Sequence, residues 1–251
     1  MALTKAQIER YQQDGFLLVD GLFDRTELAG MKAEIKRVLQ QAGKSGMLEG
    51  GTGVYVGLTA ASRMFHDINA DRRVVEPLTQ LMGPDVEFWS DKVVFKSAKV
   101  DFASPWHQDW WYWEGANKVS IWIALDDATP ENGCLKFLPG SHRSVLRKAA
   151  GVNDDKFVNR MEDGAVDEAK AVTVPVAAGG GVFFHDLALH SSLPNVKKQD
   201  RWALISTYRD AAQADKLTDF ATGAFMVAGE RKALERNPQA VYADLTSAAV
   251  G

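Results

Sequence analysis

Cysteine is almost missing from this 251-residue chain: Cys134 stands alone, so no internal disulfide can form. A chain of this length needs no such staple, because it can bury a sizeable core. A lone thiol suits a reducing compartment, so the expected location is cytoplasmic. Excess positive charge is missing too. The 29 Lys and Arg stand against 33 Asp and Glu, for a formal net charge of -4, and no basic block occurs. That argues against nucleic acid as the main partner. No apolar run approaches the roughly 20 residues of a membrane-spanning helix, so no membrane partner is expected. The opening MALTKAQIER is too polar for a signal peptide, and TSAAVG at the other end carries no peroxisomal address. Repeats and low-complexity segments are absent. What is there is ordinary globular composition, 46% apolar and 25% charged, which fits one domain across 1–251.

The first part of the chain, to about residue 85, reads as mainly helical. Thr4 and Gln7 form a capping-box pattern for a helix to about Gln13, ended by Gly15, and Phe16 to Val19 reads as a strand. Asp24 and Glu27 repeat the capping pattern ahead of Leu28, Met31, Ile35 and Leu39 at helical spacing. Gly43 to Gly57 is glycine-rich and weakly patterned, as a mobile loop or lid would be. A third helix is expected over Arg73 to Met82, ended by Gly83-Pro84. From about 86 to 210 short strands follow: Phe88 to Ser97, Val119 to Leu125, Cys134 to Leu138, Ala171 to Val176, Gly181 to Phe184 and Trp202 to Tyr208. Turn signals at Asn132-Gly133 and Pro139-Gly140 separate some of them. Asn153 to Lys170 is charged and reads as an exposed insertion, a second candidate lid. Residues 211–251 form a C-terminal extension. Helices first and strands after predict a mainly β domain, a jelly roll with helices packed on one sheet.

Five histidines are present, and two stand in suggestive company. His107 and Asp109 lie two apart, which on a strand places both side chains on one face. An imidazole and a carboxylate so placed can share a metal, although H-x-D alone is a weak signal. His190 opens a turn-rich segment after an apolar strand, and Arg201 follows eleven residues later. Two histidines and one carboxylate make the facial triad of non-haem iron oxygenases, which leaves metal positions open for substrate and oxygen. A nearby arginine can grip a carboxylate through two parallel hydrogen bonds.

These residues sit in a wider match. Tyr11-Gln12-Gln13-Asp14-Gly15-Phe16, Pro105-Trp106-His107-Gln108-Asp109, Asn132-Gly133-Cys134-Leu135, Pro139-Gly140-Ser141-His142, and His190 with Ser192, Asn195 and Arg201 together resemble the phytanoyl-CoA dioxygenase family. The resemblance runs from Tyr11 to about Arg209. It implies a double-stranded β-helix, Fe(II) at His107, Asp109 and His190, and the far carboxylate of 2-oxoglutarate at Arg201, assisted by Ser192. Relatives often touch the co-substrate from the strand before H-x-D, where this chain offers Ser90, Lys92 and Val94; Lys92 is the candidate contact. The implied reaction uses O2, releases succinate and carbon dioxide, and oxidises a C–H bond of a small organic molecule, most often by hydroxylation. Relatives that halogenate replace the carboxylate by a small residue; Asp109 argues against that chemistry here.

Trp106, Trp110, Trp111 and Trp113 crowd the H-x-D motif. Trp110, Trp113 and Trp122 are candidate substrate contacts; packing of the barrel is the competing reading for each. His185, five residues before His190, is a rival ligand. His142 is read as fixing a loop, His66 as structural, and Cys134 as a buried small hydrophobe. The alternative to an oxygenase is a non-catalytic, metal-binding cupin-like module that binds or senses a small molecule.

Overall fold

The computed structural model describes residues 2–44, 46, 53–149, 159–197, 199–215, 221 and 223–231. Helix α1 (Lys5–Asp14) and helix α2 (Arg25–Gln41) both start in the capping boxes read from the sequence, at Thr4/Gln7 and Asp24/Glu27. Each box satisfies amide groups that the first helical turn leaves without partners. Strand β1 (Phe16–Val19) lies between them. The rest of the expected loop to Gly57 is partly strand: β2 (Val54–Val56) pairs with β3 (Val86–Lys96), while residues 45 and 47–52 lie outside the described residues. Short helices α3 (Leu58–Ala61) and α4 (Arg63–Asn69) precede α5 (Arg72–Met82), the expected third helix.

Two antiparallel sheets follow. Beyond β3 come β4 (Ser104–His107), helix α6 (Trp110–Trp113), β5 (Lys118–Ala124), β6 (Leu135–Phe137), β7 (Val172–Val174), β8 (Gly181–His185), β9 (His190–Ser192), β10 (Arg201–Asp210) and β11 (Phe225–Ala228). The larger sheet runs β1-β8-β5-β10-β3-β11, with β2 also on β3; the smaller runs β4-β9-β6-β7. The expected mainly β jelly roll, a double-stranded β-helix, is therefore the fold. Strand β1 joins the larger sheet through β8, and β11 joins it through β3. Of the charged insertion, 153–158 lie outside the described residues, while Met161 donates its amide to the Trp106 carbonyl at the edge of β4.

Strand alternation divides the larger sheet into two faces. Val119, Ile121 and Ile123 of β5, with Trp202 and Leu204 of β10, pack beneath the helices against Leu28, Met31, Ile35 and Leu39. Trp122, Ala124, Ala203 and Ile205 turn the other way and meet Leu135, Phe137 and Val174 of the smaller sheet. Polar groups converge in the space between the sheets.

Candidate active site

His107 ends β4 and His190 opens β9; the two are register partners across the smaller sheet. Their rings lie 4.2 Å apart, centroid to centroid. In each, Nδ1 faces the carbonyl two residues earlier: Pro105 O at 2.8 Å and Ala188 O at 2.9 Å. A carbonyl only accepts, so Nδ1 carries the proton and Nε2 presents its lone pair. Asp109 completes the group. Ligand atoms of the three residues all lie within 4.8 Å of one another, and all three side chains are buried.

Asp109 is not on a strand, contrary to the simple two-apart argument. The chain leaves β4 at His107, and Asp109 has helical backbone angles (φ -62°, ψ -28°) at the head of α6. A turn, rather than strand parity, brings the carboxylate beside the imidazoles. Gln108, fully buried between them, holds that turn. Its amide nitrogen donates to Leu187 O at 2.6 Å and Ser144 O at 3.0 Å, and its oxygen accepts from Leu146 N at 2.8 Å.

The donor set fits a divalent cation. Asp109 Oδ1 is buried without a hydrogen-bond partner among the described residues and sits 3.5 Å from His107 Nε2. Burial alone would raise the Asp109 carboxyl; the charge of Lys92 leads the effects that outweigh it and hold the group ionised, well below the usual carboxylate range. Burial, with His107 beside it, pushes His190 down to about 3, so its imidazole is neutral and ready to ligate.

Deeper between the sheets, Arg201 (1% exposed) faces Lys96 (0% exposed) as its register partner on β3. Arg201 Nε and Nη1 have no hydrogen-bond partner among the described residues. Buried, unmatched guanidinium donors are costly unless an anion completes them. Lys96 Nζ donates to Ser192 Oγ at 2.8 Å and to the Leu193 carbonyl. Burial first, and the Arg201 charge second, push Lys96 down to about 7. Burial lowers Arg201 as well, to about 10. Gly133, in the left-handed region (φ +95°), leaves room for this group: a Cβ there would fall 2.6 Å from Leu193 O and 2.9 Å from Lys96 Cδ. Arg201, Lys96 and Ser192 thus line one cationic cradle, chemically suited to an anion.

The other candidate residues are spread more widely. Lys92, half-buried, lies on the same strand face as Lys96, four residues closer to the metal group. Trp122 is 2% exposed and its ring lies 5.3 Å from the Arg201 guanidinium, so it borders the cradle. Trp110 and Trp113 stand one turn apart on α6. Trp113 Nε1 donates to Asp186 at 2.9 Å and Trp110 Nε1 to Gly115 O at 3.3 Å. His185 is outside the metal group: its Nδ1 accepts from Leu187 N at 3.0 Å. His142 packs on Gly15, and His66 stacks on Phe225, both structural positions. Cys134 is fully buried, as expected. Sequence reasoning missed Gln108 and Lys96. The available signal for Lys96 was parity: it shares its strand face with Lys92 and ends the strand opposite Arg201.

A double-stranded β-helix with two imidazoles, a carboxylate and a buried arginine between its sheets defines the class of Fe(II)- and 2-oxoglutarate-dependent oxygenases. The family description Phytanoyl-CoA dioxygenase (PhyH) matches residues 11–203. Ectoine dioxygenase of Stutzerimonas stutzeri (strain A1501) is 27% identical over 92% of this chain and 86% of its own length. L-proline trans-4-hydroxylase of Streptomyces griseoviridis is 29% identical over 79% of this chain and 84% of its own. The solved structure of the epimerase SnoN with Fe3+, alpha ketoglutarate and nogalamycin RO shares the fold, with TM-score 0.68, 24% identity and coverage of 84% and 85% of the two chains. The chain belongs to the phytanoyl-CoA dioxygenase family. It is an Fe(II)- and 2-oxoglutarate-dependent oxygenase that uses O2 to oxidise a small molecule. No helix among the described residues is long and apolar enough to cross a membrane.

Proposed function

We propose that His107, Asp109 and His190 hold the ferrous iron, that Arg201, Lys96 and Ser192 hold the far carboxylate of 2-oxoglutarate, and that the reaction hydroxylates an unactivated C–H bond. The observation that carries this reading is the pairing of two unmatched groups: a buried anionic oxygen on Asp109 and buried guanidinium donors on Arg201. One asks for a cation and the other for an anion, and iron with a dicarboxylate supplies both. Bound iron, 2-oxoglutarate and O2 supply the oxidising chemistry, with succinate and carbon dioxide as by-products.

The chain's own residues do the positioning. The Pro105 and Ala188 carbonyls fix the tautomer and orientation of the two imidazoles. Gln108 fixes the turn that brings in Asp109. Arg201 and Lys96 anchor one end of the co-substrate so that its other end reaches the metal, and the apolar pair Val94 and Ala203 between those ends keeps water out. Trp110 and Trp113 border the open side at α6 and are proposed to contact substrate. A cytoplasmic location is proposed, consistent with the single buried thiol.

The test is succinate release from 2-oxoglutarate with iron and oxygen, run against a metabolite panel and read by the mass gain of one oxygen atom. Desaturation would appear instead as a loss of two hydrogens. A protein that binds Fe(II) but never binds 2-oxoglutarate would be the metal-binding module, and the proposal would fail.

A further inference from the structure

The inner face of the larger sheet is a ladder of register rows. Lys96 and Arg201 form the first row. Val94, Ala203 and Ala124 form the second, and Lys92, Ile205 and Trp122 the third. Ser90, Thr207 and Ser120 form the fourth, where Ser120 and Thr207 share a hydroxyl hydrogen bond of 2.9 Å. The metal group is level with this far end. The His190 ring lies 4.9 Å from that of Phe184, and Phe184 is the register partner of Ser120. Lys92 therefore stands two rows beyond the cradle, near the metal and beside a row of hydroxyls.

Lys92 has no hydrogen bond or ion pair among the described residues, and it is half-buried where Lys96 is fully buried. The charge balance makes that significant. Within the site itself, a divalent cation, Arg201 and Lys96 are met by Asp109 and the two charges of 2-oxoglutarate, which leaves the site positive before Lys92 is counted. Lys92 adds a further positive charge at the metal. A cationic or neutral substrate would leave that excess uncompensated in a partly dry cavity.

On the proposed function as its premise, we infer that Lys92 anchors the substrate rather than the co-substrate, and that the substrate is a small organic acid. Its anionic group lies on Lys92 with Ser90 and the Ser120–Thr207 pair as neighbouring hydroxyl partners, which holds the adjoining carbon near the metal.

The test uses anaerobic Fe(II) enzyme and its visible charge-transfer band with 2-oxoglutarate. Probes are propionate and methylphosphonate, each against its neutral counterpart: propionamide and dimethyl methylphosphonate. The acids are expected to shift the wild-type band saturably and the counterparts to leave it unmoved. Lys92→Met should raise the dissociation constant for the responding acid about tenfold or more while 2-oxoglutarate affinity stays within about twofold; Lys92→Arg should retain the response. Circular dichroism checks that both variants fold. The inference is overturned if Lys92→Met weakens 2-oxoglutarate itself about tenfold, if counterparts shift the band as well as acids, or if no acid shifts it. A wild-type enzyme that forms no band with 2-oxoglutarate fails at the earlier step, the proposed function.

Discussion

At the scale of single residues, the cradle sets a pH dependence. Lys96 releases its proton near 7 in the ligand-free fold, against 10.5 for an ordinary lysine. Between those values the unfolded chain binds more protons than the folded one, so Lys96 makes ligand-free stability rise with pH across that window. A bound carboxylate reverses the preference and favours the ammonium. Binding of 2-oxoglutarate at about pH 8.5 should therefore take up close to one proton, seen as a dependence of titration heat on buffer ionisation enthalpy. Its affinity should fall towards tenfold per unit as pH climbs above about 7. Lys96→Met should abolish the proton uptake; uptake that persists would place the titrating group elsewhere. Arg201→Ala should weaken 2-oxoglutarate binding by roughly 2–5 kcal/mol with Fe(II) affinity little changed. Arg201→Lys should be intermediate, because it keeps charge but loses the two-pronged geometry. If Arg201→Ala only lowered stability and its folded fraction bound normally, the arginine would be a structural residue.

At the scale of elements, the turn from β4 into α6 matters most, and it was the least legible part of the site. The H-x-D pair, the distal His190 and Arg201 could be read because spacing and residue type carry them. The route by which Asp109 arrives could not, since a departure from strand geometry leaves no periodic trace. Three-residue strands such as β2 and β9 are also too short to show alternation. Parity puts Trp122 on the inner face, but parity does not say which inner group a long side chain reaches: its ring lies beside Arg201. The capping boxes and the helical stripe of α2 were legible because their signals are local. Gln108 gives this turn a test. Gln108→Glu removes two donated hydrogen bonds and sets a carboxylate against two carbonyl oxygens. Fe(II) affinity should drop about 10–100-fold, with both histidines and Asp109 intact. Unchanged affinity would mean that the turn holds its shape without Gln108.

At the scale of the whole molecule, the interior carries charge from end to end, which composition alone could not reveal. Beyond the hydroxyl row, Glu87, Arg209 and Lys118 stand as register partners across three strands, each fully buried. The C-terminal extension completes them: Asp215 lies 2.8 Å from Lys118 Nζ, and Arg231 pairs with Glu87. This row ties the extension to the barrel and explains how ions survive burial there. Asp215→Asn would strand Lys118 and should cost about 3–5 kcal/mol in denaturant unfolding, with most of the loss recovered by adding Lys118→Met. An Asp215→Asn cost within ~0.5 kcal/mol would show that the row is not a structural tie. Assembly of iron and 2-oxoglutarate on His107, Asp109, His190 and Arg201 is tested by one anaerobic titration. Fe(II) protein is titrated with 2-oxoglutarate while the visible charge-transfer band is followed in wild type, His190→Ala and His185→Ala. The band should form in wild type and His185→Ala and be lost in His190→Ala; a band lost with His185 and kept without His190 would make His185 the ligand in place of His190.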